Sequence, residues 1–257
     1  MVRLKTPQEI ERLAAGGAIL ARILDELASE TVAGVTGRVL DARARELISQ
    51  HGVTAAFLNY APRGHKPFPA ALCVSVNNAV VHGLPNDEEI SQGDIVGLDL
   101  GIVYQGLYLD SAHTVGVGTI SSAAATLLHV TSSALAAGIS QATVGNTIGD
   151  IGATIQRQVE GQGFSVVRQL VGHGVGYAVH EEPAVPNFGK PGTGLKLQAG
   201  LVIAIEPMVT TEDPMVTTGR DGWTVITQNG HLAAHEEHTV AVTPEGPRIL
   251  TISSAVG

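Results

Sequence analysis

Asp99 and Asp110 flank a turn-forming stretch, Tyr104-Gln105-Gly106, between two strand-like runs, Asp94 to Val103 and Leu107 to Val117. If the turn centres on Tyr104-Gln105 the two acids face each other directly; sliding it by one residue makes them diagonal neighbours on the same face. Two carboxylates roughly 5 Å apart on a strand pair repel, at a cost a fold accepts only with compensation. A shared cation is the simplest compensation. An exposed acid pair on a wet sheet is the alternative, but Ile95-Val96-Gly97-Leu98 is too apolar for such a face.

Three further residues extend the pattern. Glu206 closes the apolar run Val202-Ile203-Ala204-Ile205, and Pro207 after it favours extended backbone and removes a ladder donor. Glu237 stands where an internal echo of the sequence puts it near Asp110. His173 lies between Gly172 and Gly174, whose bare backbone leaves room for a ligand or metal to approach. Singly, each has an ordinary reading: a strand-end charge, one of an exposed Glu236-Glu237 pair, a satisfied loop histidine. His51, His129, His231 and His235 read as surface or structural residues.

The elements that must position these groups follow from capping and periodicity. Thr6-Pro7-Gln8-Glu9 is a capping box with Pro at the first helical position, and Ile10, Leu13, Leu20, Leu24 and Leu27 follow at helical spacing. A second helix begins near Thr36 and stops at Gly52, a third runs from Ser121 to about Gly138, and a fourth starts at Asn146 or Thr147 and ends about Gly161 or Gly163. Ala71 to Val76 reads as a strand entering an Asn77-Asn78 turn, and Gly200 to Met208 as another strand. A second hairpin is expected over Trp223 to Thr227 and His231 to Val242, turned by Asn229-Gly230.

The order helix, helix, hairpin thus occurs twice. Gly93 to Asp99 matches Gly200 to Glu206 in pattern, acid on acid, and His113-Thr114-Val115-Gly116-Val117 matches His238-Thr239-Val240-Ala241-Val242. Two related halves predict one pseudo-symmetric α+β domain over residues 1–257, with a central sheet and helices on one face.

Composition narrows the function classes. Of 257 residues, 44% are hydrophobic and only 15% charged, which excludes a disordered chain. No stretch approaches the ~18 uninterrupted apolar residues of a membrane span, and Met1 to Lys5 runs into a helix cap rather than an apolar signal core. The expectation is no membrane and a cytoplasmic location. One cysteine, Cys73, excludes an intramolecular disulfide or a Cys-rich zinc site. A net charge of −9, with no basic stripe, argues against nucleic acid as a primary ligand.

With Asp99, Asp110, His173, Glu206 and Glu237 in this order and spacing, Gly172-His173-Gly174-Val175-Gly176 runs on to His180-Glu181-Glu182-Pro183, Ile205-Glu206-Pro207-Met208 and Glu237-His238-Thr239. In these motifs the chain resembles type I methionine aminopeptidases over nearly its whole length, in what looks like the short bacterial form. The resemblance implies the pita-bread fold, which agrees with the duplication. It implies two divalent metal ions held by Asp99, Asp110, His173, Glu206 and Glu237, with Asp110 and Glu237 bridging, Asp99 completing one site, and His173 and Glu206 the other. Four carboxylates and one imidazole suit Co, Mn, Fe or Zn, and four negative charges balance two dications. Glu206 would shuttle a proton to the leaving amine, and His82 and His180 would contact the substrate amide.

The implied substrate is an N-terminal Met peptide or nascent chain whose second residue is small, its thioether held by Cys73, Trp223 and the loop near His65 and Phe68. Here the sequence departs from the commoner family residues, which are tyrosines around positions 65 and 68, and Phe at Val179. His113 likewise stands where Arg is frequent. A monomer is expected, and the basic loop at Arg63 and Lys66 is a candidate ribosome contact. Two rivals share the fold: an Xaa-Pro peptidase, which usually carries an extra N-terminal domain, and a non-catalytic binding protein, whose members have lost ligands.

Overall fold

The chain opens on the expected capping box. The Thr6 hydroxyl accepts from the Glu9 amide at 3.2 Å, and the Glu9 carboxylate accepts from the Thr6 amide at 2.8 Å. With Pro7 in the first turn, these contacts satisfy donors that a helix start leaves open and begin α1 (Pro7–Glu30). Thr36 caps α2 (Gly37–Gln50) and Ser121 caps α3 (Ser122–Ser140). A second capping box, Thr147 with Asp150, opens α4 (Ile148–Glu160). A computed structural model describes residues 2–62 and 66–252, so Arg63 and His65 lie outside the described residues.

The first half contributes β1 (Thr54–Ala55), β2 (Leu72–Val76), β3 (Ala79–Val81), β4 (Ile95–Tyr104) and β5 (Leu107–Gly116). The second adds β6 (Ser165–Val166), β7 (Gly172–Gly174), β8 (Glu181–Val185), β9 (Val202–Ile205) and β10 (Met208–Thr210). It ends with β11 (Val216–Thr218), β12 (Val225–Thr227), β13 (Ala233–His235), β14 (Glu237–Thr243) and β15 (Gly246–Ile249). One antiparallel sheet runs β1-β4-β5-β14-β9-β7-β8, with β2 also on β4 and β15 also on β14. Two three-stranded sheets, β13-β10-β6 and β11-β12-β3, stand beside it.

Helices cover one face of the large sheet. Leu98, Leu100 and Ile102 of β4 and Leu109 of β5 pack in one core with α1 and α2. Ile203, Ile205, Val240 and Val242 pack in another with α3 and α4. Because successive strand residues point to opposite faces, Asp99, Asp110 and Glu237 fall on the other side. By length and composition α3 could cross a membrane, but Leu127, Val130, Ala134, Leu135 and Ile139 are buried in the second core.

The duplication extends to individual hydrogen bonds. Leu98 pairs with His113 as Ile205 pairs with His238. The Gly93 amide donates to the Val117 carbonyl at 2.8 Å, and the Gly200 amide to the Val242 carbonyl at 3.0 Å. The N-caps Thr36 and Thr147 each bridge to the stretch before the next matching strand, at Glu89 and Lys196. The halves meet where β5 pairs with β14, Ala112 opposite Glu237. There the Thr114 hydroxyl donates to the His235 carbonyl at 2.6 Å and accepts the His235 amide at 3.0 Å. Its counterpart Thr239 donates to the Asp110 carbonyl at 2.7 Å and accepts the Asp110 amide at 3.1 Å.

The first hairpin turns at Gln105-Gly106, so Asp99 lies opposite Ala112 and Asp110 opposite Gly101; of the two registers expected, the diagonal one forms. Two other expectations are corrected. Gly200 to Met208 is not one strand, because Glu206-Pro207 ends β9 and β10 joins a different sheet. The second hairpin does not form either: β12 pairs with β11 and β3, while β13 pairs with β10. The partner of β9 is β14, so the matching strand pair of the second half is joined by a long excursion rather than a turn.

Candidate active site

Pairing across the sheet centre gathers the acids. Asp110 is diagonal to Asp99 across β4 and β5, and to Glu237 across β5 and β14. Glu206 arrives from the end of β9, its carbonyl accepting from buried Asn187 Nδ2 at 2.9 Å. His173 projects from β7, and ligand atoms of Asp110, His173 and Glu237 all lie within 4.8 Å of one another. The glycines beside His173 have a different reason from the one expected. A Cβ on Gly172 would stand 2.4 Å from the Ala204 carbonyl oxygen, and one on Gly174 2.3 Å from that of Glu182. They permit tight strand packing on both sides of His173 rather than leaving space for a ligand.

The donor set can be tested from hydrogen bonding alone. His173 Nδ1 lies 3.0 Å from the Gly174 carbonyl oxygen, which can only accept, so Nδ1 carries the proton and Nε2 presents a lone pair. That lone pair faces Glu206 Oε1 at 3.3 Å. Two acceptors cannot bond each other, and Glu206 Oε1, Asp110 Oδ1 and Glu237 Oε1 are buried without hydrogen-bond partners. A proton or a cation between them would satisfy such a group, and hard carboxylate oxygens with one imidazole lone pair fit divalent cations.

Protonation is the other way to relieve the charge. Burial pushes Asp99 up to about 7. Burial and then the neighbouring acids raise Asp110, Glu206 and Glu237 well above the usual carboxylate range. The nearby imidazoles offer no countercharge: burial drives His173 and His235 each down to about 3, and lowers His180. The neutralising charge near pH 7 must come from protons or from outside the chain.

The acids form the floor of a cavity of about 310 Å³. Its walls are apolar: Phe57, Tyr60, Phe68, Cys73 and Trp223, with Phe68 edge-on to Trp223 at 5.1 Å. Two further histidines line it. His82 adopts φ +58°, an uncommon conformation for a residue with a Cβ, and its ring stands edge-on to Trp223 at 6.4 Å. His180 packs edge-on to His173 at 4.3 Å, and its Nδ1 shares a 2.7 Å hydrogen bond with the Tyr60 hydroxyl.

Residues 11–244 match the model of metallopeptidase family M24. Methionine aminopeptidase from Clostridium perfringens is 48% identical over 252 residues, covering 98% of this chain and 99% of that protein. Methionine aminopeptidase 1 from Bacillus subtilis is 40% identical, over 98% of this chain and 99% of that protein. The chain belongs to family M24, among the methionine aminopeptidases. A solved methionine aminopeptidase from Thermotoga maritima superposes with a TM-score of 0.93 at 43% identity, over 98% of this chain and 100% of that one. A prolidase from Pyrococcus furiosus matches with a TM-score of 0.78 at 22% identity, over 98% of this chain and 66% of that one, a likeness of fold. The architecture is therefore the pita-bread fold of this family.

Within this methionine aminopeptidase framework, Asp99, Asp110, His173, Glu206, Glu237, His82, His180, Phe68, Cys73 and Trp223 all line the one cavity. His65 lies outside the described residues. Val179, where the family commonly has Phe, is buried with Phe57, Phe68 and Cys73. A tyrosine does line the cavity, but from position 60, which the sequence reading did not single out. His235, read as surface or structural, is only 3% exposed and points at the acids. Its correspondence to Asp110 is visible only once the halves are aligned, because their paired Thr114 and Thr239 clamps sit one on each.

Proposed function

We propose that this chain, as one catalytic unit over residues 1–257, removes the N-terminal methionine from peptides and nascent proteins when the second residue is small, using two divalent ions. Family membership supports the peptidase activity and metal use. The observation that carries the site reading is the set of partnerless buried acceptors, Asp110 Oδ1, Glu206 Oε1 and Glu237 Oε1, at the floor of an apolar cavity. Asp99, Asp110, His173, Glu206 and Glu237 would hold the ions, which Co, Mn, Fe or Zn could supply. Divalent ions held there provide Lewis-acid activation of a water and of the scissile carbonyl.

The chain's own groups do the rest. The methionine side chain enters between Phe68, Trp223 and Cys73, where a flexible thioether packs against aromatic edges and sulfur. That wall excludes water and places the first peptide bond over the acids. Glu206, its Oε1 free of hydrogen bonds, takes a proton from the attacking water and returns it to the leaving amine. With the Tyr60 hydroxyl as donor to Nδ1 of His180, 2.7 Å away, the proton of this neutral imidazole would sit on Nε2, as a donor to the carbonyl oxygen gaining charge. His82 approaches from the Trp223 side as the second polar contact. The proposed setting is a single chain in the cytoplasm meeting nascent chains, with exposed Lys66 as a ribosome contact. A free Cys73 is consistent with a reducing compartment.

The test is release of free methionine from Met-Ala-Ser and Met-Lys-Ser by protein stripped of metal and reloaded with Mn, Fe, Co or Zn. Metal-dependent cleavage of the first peptide alone is expected. Equal cleavage of both would remove the small-second-residue restriction, and cleavage of neither with any ion would overturn the reading.

A further inference from the structure

We infer that His235 is a positioning residue of this metal centre, its Nε2–H set between the carboxylates of Glu206 and Glu237 to orient both. The inference rests on the metal-centre reading above. His235 is buried, and its Nε2 has no hydrogen-bond partner. The nearest charged atoms are Glu206 Oε2 at 3.7 Å and Glu237 Oε2 at 3.9 Å. Neither distance is a hydrogen bond, yet leaving a buried polar atom unmade costs about 1–3 kcal/mol. Both neighbours only accept when ionised, so the nitrogen facing them serves them only as a donor. Small rotations about either glutamate side chain bring an oxygen within its reach.

The backbone that carries the ring is held independently of the ring. Thr114 clamps both the carbonyl and the amide of His235, and β13 pairs His235 with Met208. The same clamp in the other half, made by Thr239, holds Asp110. The duplicated framework thus presents an acid at this place in one half and an imidazole in the other. Of the two, the acid's partnerless oxygen faces the ion-binding cluster, and the imidazole stands behind two of its members. Groups that hydrogen-bond a metal ligand from behind fix its orientation, and losing one typically weakens metal binding about 10–100-fold.

The experiment titrates metal-stripped wild type, His235→Gln and His235→Leu with Mn(II) and Co(II) by calorimetry, and records the absorption spectrum of each Co(II) form. Glutamine retains an N–H donor and leucine does not. Wild type and His235→Gln are expected to bind alike, with His235→Leu weaker by about 10–100-fold at one ion or both. Unchanged Co(II) band positions in His235→Gln are also expected, because the imidazole is not a ligand. Should the leucine variant not fold, judged by circular dichroism and a thermal melt, His235→Ala makes the same comparison. Equal affinity across all variants overturns the inference while leaving the metal centre intact. Loss of affinity in His235→Gln equal to that of the donor-free variant, with shifted Co(II) bands, overturns it in favour of direct ligation. A wild type that binds neither ion would instead overturn the metal-centre reading itself.

Discussion

In the first half of the molecule β4 and β5 pair over their whole length and are joined by the two residues Gln105-Gly106. In the second half the matching strands, β9 and β14, pair over Val202 to Ile205 and are separated by residues 206–236. The cause of the break is local: Pro207 offers no ladder donor, and β10 turns into the small sheet with β13. The excursion then delivers Trp223 to the cavity wall and His235 to within 3.7 Å of Glu206. A symmetric template therefore supplies the matching acids, Asp99 and Glu206, and the interruption of that symmetry supplies part of the pocket beside them.

The largest test of this comparison removes the matching acids. Asp99→Asn and Glu206→Gln should each lower kcat by about 10²–10⁴-fold, with Glu206→Gln also changing the pH profile because it carries the proton. Both metal-stripped variants should melt higher than metal-stripped wild type at pH 8, since each loses one of several mutually repelling buried carboxylates. A variant that keeps full activity would break the equivalence of the halves.

The next largest effect is the pH dependence of the metal-free protein. Burial raises the pKa values of Asp99, Asp110, Glu206 and Glu237 in the folded state, so the folded protein holds protons that the unfolded chain has already released. Stability from this source is lost as pH rises from the unfolded carboxylate range through about 7, the value for Asp99, and through the raised values of the other three. Between pH 6.5 and 8.5 the melting temperature of the metal-stripped protein should fall, and saturating Mn(II) should flatten the curve by replacing the protons. A flat curve without metal would argue against burial of the acid cluster.

Smaller differences test the frame rather than the site. Gly93 and Gly200 hold matching places with φ +95° and +93°. A Cβ on Gly93 meets only the Thr119 carbonyl oxygen at 3.8 Å, whereas on Gly200 it meets the Lys5 carbonyl oxygen at 2.7 Å. Gly93→Ala should cost about 1–2 kcal/mol by denaturant unfolding, from backbone strain alone. Gly200→Ala should cost more, because β9 and the N-terminal segment must separate.

The smallest effects, opposite in sign, belong to the matched pair His113 and His238. A hydrogen bond donated to the Glu236 carboxylate raises the pKa of half-exposed His113, so its contribution is present below pH 6.5 and lost as pH rises through the raised value. Burial pushes His238 down to about 4, so its contribution is present above pH 6.5 and lost as pH falls toward 4. His113→Gln should destabilise at pH 5.5 and not at pH 8, while His238→Gln should relieve acid sensitivity at pH 5. Parallel rather than opposed shifts in the two denaturation series would show that the two sites do not differ as described.

The helix starts were legible because each rests on one hydroxyl and its own next turn, as at Thr6, Thr36, Ser121 and Thr147. Asp99, Asp110 and Glu206 stood out as candidate ligands because they are acids set in or at the end of apolar strands, whereas His173 and Glu237 joined the set through an internal echo and the family resemblance. The first hairpin's register was not, since Tyr104-Gln105 and Gln105-Gly106 both place Asp99 and Asp110 on one face. Asn229-Gly230 misled because a turn dipeptide reports local backbone and not which strands pair; β12 and β13 find partners in separate sheets. Tyr60 was not singled out, and His235 read only as surface or structural, because neither is unusual for its surroundings in sequence.

Chemistry that depends on residue type and short-range pattern was determined by the sequence alone: the duplicated α+β frame, the four carboxylates with one imidazole, and the apolar strands that bury them. Only the tertiary structure decided which nitrogen of His173 faces Glu206, which hydroxyl meets His180, and that His235 Nε2 lies within 3.9 Å of both Glu206 and Glu237. These are matters of a few ångströms between segments up to 120 residues apart, as for Tyr60 and His180. Side-chain spacing along a chain constrains only its own strand or helix, and sheet pairing and strand breaks set the rest.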